Sequence, residues 1–558
     1  MKKQNFIHGS IVLIASAAAA KGLGAIFRIP LANMLGGVGM GYFSTAYGIF
    51  MTVYALSVTG LPVAAAKLTA ESETVGDHTR TEKIRRTALL LYTVMGLAFT
   101  LLTLLLAYPF CRYAGGSAEA ALAVIAIAPS VLFGCISALY RGYFEGRRNM
   151  YPTAVSQVIE GVVKLGLGLL LCGGVLHMQA HELYSIAAFL RRILPFDFLV
   201  TMSAEQMRLP LAAAAAVMGV TLSTAAGALY AALRCAMVKK PSPSQCTQSR
   251  RAICRALLTV IIPVAAGSLV TNLTSLIDLA TITRGIAKAA ERSPQYFLPY
   301  ISSEITAYDL PNFFFGSFTG LAVTVFNLIP SFTNMFGKSA VPAIAEAFAS
   351  GDKAALRRSA NNVIFTAAYI AVPSGIGISV LAPQILALLF PSGKMEASAA
   401  AFPLRILGIG VIFLAVSSVL FAVLQAADKG NIPVKIMLWG VAVKLAGNVI
   451  LVPIPQVNVS GAALSTTICY GIIMILSIGA VCKYTDIGKS SVYCMLMKMI
   501  FCGTLCGGAA LIVNNILVNL SKSALMLFPA VFFGAVIYII STHLMGILTK
   551  STLKLLIC

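Results

Sequence analysis

Apolar stretches recur along the whole chain, separated by short polar segments. They fall at residues 6–35, 41–70, 88–110, 120–140, 153–172, 211–233 and 257–283, then 313–336, 363–389, 406–424, 436–452, 462–481, 499–517 and 525–544. A helix rises 1.5 Å per residue and needs about 20 apolar residues to cross roughly 30 Å of hydrocarbon, so each stretch predicts one transmembrane helix. Strands of a membrane barrel are about half that length and alternate in polarity, which excludes a barrel. The pattern therefore predicts an all-α integral membrane protein with about 14 transmembrane helices.

The pattern also repeats. Pro62 in Gly-Leu-Pro-Val-Ala-Ala-Ala-Lys, followed by Arg85-Arg86 and an apolar run, returns as Pro342 in Ala-Val-Pro-Ala-Ile-Ala-Glu, followed by Arg357-Arg358 and an apolar run. Asn149 and Pro152 leading to Gly161-Val-Val-Lys164 return as Asn431 and Pro433 leading to Gly440-Val-Ala-Val-Lys444. Pro62 to Pro342 and Lys164 to Lys444 are both 280 residues apart. Six spans separate equivalent helices, and an even number gives both halves the same orientation, so the repeat is parallel, with its axis along the membrane normal. The expected organisation is an N-terminal lobe over 1–238, a basic cytoplasmic linker over 239–255, a second lobe over 256–482 and two additional helices over 483–558. Two external stretches depart from the repeat: 175–210, whose amphipathic segment 181–194 reads as an interfacial helix or a solvated loop, and 285–312, an insertion of roughly thirty residues that moves the offset of the first helices nearer 250.

Composition agrees with a bilayer as solvent. Of 558 residues, 58% are hydrophobic and 11% charged, with a mean hydropathy of +0.88. The formal charge of +22 would suggest nucleic acid if it were spread evenly. With both termini placed in the cytoplasm, 27 of the 41 Lys and Arg lie on the cytoplasmic side, 10 outside and four within the membrane. That asymmetry is the positive-inside bias; it fixes an N-in, C-in orientation and removes any need for a nucleic-acid partner. The start, Lys2-Lys3 before the apolar run 11–20, imitates a signal peptide, but the repeat requires this segment as a helix, so no cleavage is expected. Twelve cysteines are scattered through apolar helices with neither C-x-x-C nor His-paired spacing and read as reduced core residues; no metal and no cofactor is expected.

Six ionisable residues fall within the spans: Lys21, Arg28, Glu160, Lys164, Asp278 and Lys444. Each costs several kcal/mol in hydrocarbon unless it meets a partner or a wet cavity. Lys21 and Arg28 are about two turns apart on one helix face, a stripe that suits an elongated anion; the competing reading is that they only hold the bundle together. Glu160 and Lys164 stand at i and i+4, the favourable order for an internal ion pair. Asp278 has no such partner on its own helix and reads as a cation or proton site, while Lys444 is one turn from Asn448. In the repeat, Asp278 falls within about a residue of the position of Arg28, and an Asp278 to Lys444 pair between helices would satisfy both charges.

Gly22-Leu-Gly-Ala-Ile-Phe-Arg28-Ile-Pro30, Thr59-Gly-Leu-Pro62-Val-Ala-Ala-Ala-Lys67 and, most specifically, the block from Arg141-Gly-Tyr-Phe-Glu-Gly-Arg-Arg to Gln157-Val-Ile-Glu160 resemble the stage V sporulation protein B group of polysaccharide transporters. That group is related to MurJ-type lipid II flippases in the superfamily that includes MATE exporters. The resemblance covers nearly the whole chain apart from the external insertions. It implies two lobes around a central cavity and an undecaprenyl-pyrophosphate-linked saccharide as substrate, with Lys21 and Arg28 matching cavity cations of the first helix. It further implies a cation site formed by Asp278 and Asn448 with Thr466 or Thr467. The chain departs from the pattern in lacking cavity arginines on its second and eighth helices, and in placing Lys444 where a neutral ligand would stand.

These readings lead to a monomeric, alternating-access flippase in a bacterial cell membrane, with a lipid-linked saccharide, membrane lipids and a coupling cation as partners. A cation-coupled MATE-like drug exporter is the first alternative. A membrane glycosyltransferase or polymerase is the second, its only candidate cluster being His177, His181, Glu182, Asp197 and Glu205, in no recognised catalytic spacing. No nucleotide-binding loop is found. The charge partition is tested by single cysteines introduced at Arg86, Arg148, Arg251 and Arg358: a membrane-impermeant maleimide added outside intact cells should label none of them, and labelling at any one overturns the orientation.

Overall fold

The computed structural model describes residues 6–113, 115–194, 196, 198, 202–238, 249–302, 305–520 and 524–548. It is helical throughout, and among the described residues thirteen helical segments are long and apolar enough to cross a membrane. The first of these, Ala15–Thr74, has 60 residues. A straight helix of that length would reach about 90 Å, three times the hydrocarbon thickness. It is divided instead. Within α1 (Phe6–Ser57), Gly36 takes φ 61° and ψ −170°, outside helical geometry and in a region that only glycine enters cheaply. Two arms therefore replace one rod, as the separate stretches 6–35 and 41–70 predict, and α2 (Leu61–Thr74) restarts after a turn with Pro62 in its first turn.

The chain forms two compact units, residues 1–283 and 284–558. The first continues with α3 (His78–Tyr113), α4 (Ala121–Ile127), α5 (Pro129–Gly146), α6 (Tyr151–Leu176), α7 (Ala180–Ile193), α8 (Ala204–Ala236) and most of α9 (Arg250–Arg292). The division falls later than the expected linker at 239–255. The cause is packing: Ile253, Leu257 and Ile261 of α9 are buried among Leu61, Tyr92 and Cys135. Residues 239–248 of that linker lie outside the described residues. The amphipathic segment after α6 is a helix, α7. Gln179 and Glu182 close a capping box at its start, and Leu183 and Ala187 pack on Leu122, Met207 and Leu211.

The second unit contains α10 (Leu310–Gly316), a π-helical turn over Ser317–Ala322, α11 (Val323–Ala349), α12 (Lys353–Val380), α13 (Ala382–Leu389), α14 (Lys394–Ala426), α15 (Asn431–Leu451), α16 (Val459–Thr485), α17 (Lys489–Leu520) and α18 (Leu527–Leu544). The last two pack on α12 through Met499, Cys502, Cys506 and Tyr538. The expected insertion at 285–312 begins as the end of α9, then folds into two 3₁₀ turns whose Phe297 and Tyr300 lie edge-on to Phe314, with centroids 5.6 and 4.9 Å away. The repeat is visible in position: Lys164 stands thirteen residues after the first residue of α6, Tyr151, and Lys444 thirteen after the first residue of α15, Asn431.

The closest helix contact in the first unit joins α6 to α8. A β-carbon at Gly219 would overlap the backbone of Gly168, so the two helices meet at the bare backbone of both glycines. Gly219→Val should cost on the order of 1–3 kcal/mol or more by overpacking, seen as a lower melting temperature of the purified protein. Gly166→Ala, two residues before Gly168 on the other side of α6 with open space beside it, should leave melting unchanged. Equal melting of the two variants overturns this packing.

Candidate functional site

The second arm of α1 carries Phe43, Tyr47, Phe50 and Tyr54 at spacings of four, three and four, which places their rings on one helix face. With Phe27 they form a ladder whose successive centroids lie 6.1, 5.8, 6.0 and 5.2 Å apart. Two cations flank this ladder. The Arg28 guanidinium lies 5.1 Å from the centre of Tyr47, and the Lys164 ammonium 5.2 Å from Tyr47 and 5.1 Å from Phe27. Close packing of α1 on α6 brings them there: Ser16 donates a hydrogen bond of 3.1 Å to Gln157, and Phe27 lies against Gly168. Lys21 stands two turns before Arg28 on the same face and is exposed, whereas Arg28 is half-buried.

Cation–π attraction is worth about 0.5–2 kcal/mol and leaves the charges uncancelled. Both cations lie near one ring centre, so they are at most 10.3 Å apart, the sum of 5.1 and 5.2 Å. At an effective dielectric of about 20 their repulsion is then roughly 1.6 kcal/mol or more. An anion seated beside Tyr47 would reverse that sign. The arrangement suits a multiply charged phosphate beside the half-buried Tyr47, while Phe27, Phe43 and Phe50 are themselves buried.

Glu160 does not form the expected pair with Lys164. Its Oε1 lies 2.7 Å from Nη2 of Arg141, and Arg141 also donates through Nε to Ser156 at 2.9 Å. The expectation failed because i, i+4 spacing describes one helix alone, while packing of α5 on α6 offers Glu160 a planar guanidinium. Arg141, counted among the cytoplasmic cations, is thereby committed to an ion pair inside the helical bundle, and Lys164 turns to the aromatic rings. Neighbouring charges on the same side of α2, α3 and α5 are paired as well: Arg85 and Arg86 meet Glu82 at 2.6 and 2.9 Å, and Arg147 meets Glu73 at 3.2 Å.

Asp278, half-buried on α9, belongs to the first unit; Lys444 and Asn448, both buried on α15, belong to the second. Ser465 donates a hydrogen bond to the side-chain Oδ1 of Asn448, and Thr467 donates to the backbone carbonyl of Ile406 at 3.2 Å. The buried Thr466 hydroxyl has no hydrogen bond among the described residues. Of the cluster considered for catalysis, Glu182 accepts the Gln179 backbone N–H at 3.0 Å, and Glu205 lies in the first turn of α8. Asp197 lies outside the described residues. Tyr47 was missed by the sequence reading, although the 4-3-4 spacing of aromatics around it carried a signal.

The family described as "Polysaccharide biosynthesis protein" matches residues 6–200, and the MatE family matches residues 317–450. Stage V sporulation protein B of Bacillus subtilis (strain 168) is 24% identical over 560 residues, covering 99% of this chain and 98% of that protein. Lipid II flippase MurJ of the same organism is 24% identical over 487 residues, covering 84% and 82%. A solved structure of lipid II flippase MurJ in an inward closed conformation superposes with a TM-score of 0.62 at 13% identity, covering 97% of this chain and 98% of that one. The resemblance read from the sequence is borne out, and the fold is of the MATE and MurJ type.

Removing one partner of the Arg141 and Glu160 pair should leave a poorly compensated charge at a cost on the order of 3–5 kcal/mol, while removing both should cost less. Arg141→Met, Glu160→Gln and the double variant, compared by thermal melting, should therefore be strongly non-additive. Simple addition of the two single losses would show that the groups do not depend on each other.

Proposed function

We propose that this multi-pass membrane protein of MATE and MurJ fold carries a lipid-linked saccharide of the undecaprenyl-pyrophosphate type from the inner to the outer leaflet of a bacterial cell membrane by alternating access. The observation that carries this reading is the pair Arg28 and Lys164 about Tyr47. Two like charges beside one aromatic ring favour a polyanion and repel the cationic drugs that an exporter reading would require. With Glu160 neutralised by Arg141, both positive charges remain for the pyrophosphate, and Lys21 extends the stripe along α1. The match to the polysaccharide biosynthesis family over 6–200 supports the same substrate class, because that segment holds every one of these residues.

Coupling falls to the second unit and to Asp278. A bound cation biases a two-state carrier only through different affinities for its two states. Lys444, one turn from the hydrogen-bonded Asn448, supplies a tethered positive charge in that role.

The test uses purified protein in proteoliposomes with an undecaprenyl-pyrophosphate-linked saccharide, read as saccharide accessible to an enzyme added outside. Arg28→Glu and Lys164→Glu should each lower transport at least tenfold while leaving melting and insertion unchanged, and Lys164→Arg should keep most of it. Normal transport by either Glu variant would reduce the pair to a structural role.

A further inference from the structure

The outer face of the first turns of α9 is built differently from the rest of that helix. Ile253, Leu257 and Ile261 face the core of the first unit. On the opposite side Arg251, Arg255, Leu258 and Ile262 follow at spacings of four, three and four residues and so share one face. Arg250, Arg251, Cys254, Arg255, Leu258, Thr259 and Ile262 line a shallow, open groove along this one helix. No carboxylate contributes to it. None of the three arginines makes an ion pair among the described residues, and all three are exposed.

The order along the axis is cationic and then apolar. From Arg251 to Ile262 the helix rises about 16 Å, close to the depth of one leaflet. A lipid lying here would meet guanidinium groups with its head and Leu258 and Ile262 with its chain. Charge identifies the occupant. Three arginines within two turns, with no carboxylate beside them, fit a multiply charged head such as a diphosphate better than the single phosphate of an ordinary phospholipid. We propose that this groove is the cytoplasmic docking site at which the pyrophosphate of an isoprenyl-linked substrate is held before transport. The inference rests on the functional reading above and on the cytoplasmic placement of this helix end by the positive-inside bias. Arg251 and Arg255 clamp the diphosphate, and arginine's planar fork suits phosphate oxygens.

Cys254 within the groove gives a local readout that does not depend on transport. The full chain is placed in phosphatidylcholine nanodiscs, and its alkylation by N-ethylmaleimide at Cys254 is followed by peptide mass spectrometry. Undecaprenyl pyrophosphate at a few mole per cent should slow Cys254 alkylation at least fivefold. Arg251→Gln with Arg255→Gln, exposed changes that spare the fold, should abolish the protection, and Arg251→Lys with Arg255→Lys should restore part of it. Arg28→Glu should retain it. Equal protection by cardiolipin or phosphatidylglycerol overturns the proposed occupant, and protection that survives the double Gln change overturns the site. Protection without transport leaves the groove standing and overturns the transport reading; transport without protection overturns the groove alone.

Discussion

A charge inside hydrocarbon has no water to solvate it, and this constraint orders the whole molecule. Backbone groups meet it by closing their hydrogen bonds within helices, so every apolar segment long enough to span the membrane among the described residues is helical. Side chains meet it in three ways. Glu160 and Arg141 neutralise each other between α6 and α5. Lys444 is buried one turn from Asn448, which accepts from Ser465. Arg28 and Lys164 rest on aromatic faces, which lowers their cost without removing their charge. It is the third solution on which the proposed function rests, since neither cation there meets a carboxylate in an ion pair among the described residues.

The two units apply one helical plan to different chemistry. Lys164 and Lys444 occupy the same step of equivalent helices, α6 and α15. Around Lys164 stand Phe27 and Tyr47; Lys444 lies on a helix whose next turn presents Asn448 to Ser465. Equivalent position therefore does not impose equivalent surroundings. The different roles proposed for the two lysines rest on the neighbours that packing contributes.

Close helix approach makes these neighbours possible. The bare backbones of Gly168 and Gly219 let α6 and α8 touch, and Phe27 against Gly168 brings α1 onto α6, which carries Lys164 to the aromatic ladder. In a bilayer such contacts rest on van der Waals fit rather than on the hydrophobic effect, so one added methyl group has a direct cost. The candidate site is thus tied to glycine positions that carry no chemistry of their own.

Much of the architecture was legible in the sequence because it follows from periodic, one-dimensional properties. Span length, the basic asymmetry of the loops, the 280-residue repeat and the cost of Lys21, Arg28, Glu160, Lys164, Asp278 and Lys444 all belong to the chain itself. The break at Gly36 was also implied, since no 60-residue helix fits one membrane. Tertiary structure decided the partners. Spacing paired Glu160 with Lys164, but packing brought Arg141 to Glu160 and Tyr47 to Lys164. The unit boundary moved to Thr283 because α9 buries Ile253, Leu257 and Ile261 in the first unit. The physical reason is the same in each case: a helix sequence fixes which residues share a face, whereas the energy of a buried charge depends on what the facing helix presents, and no local spacing records that.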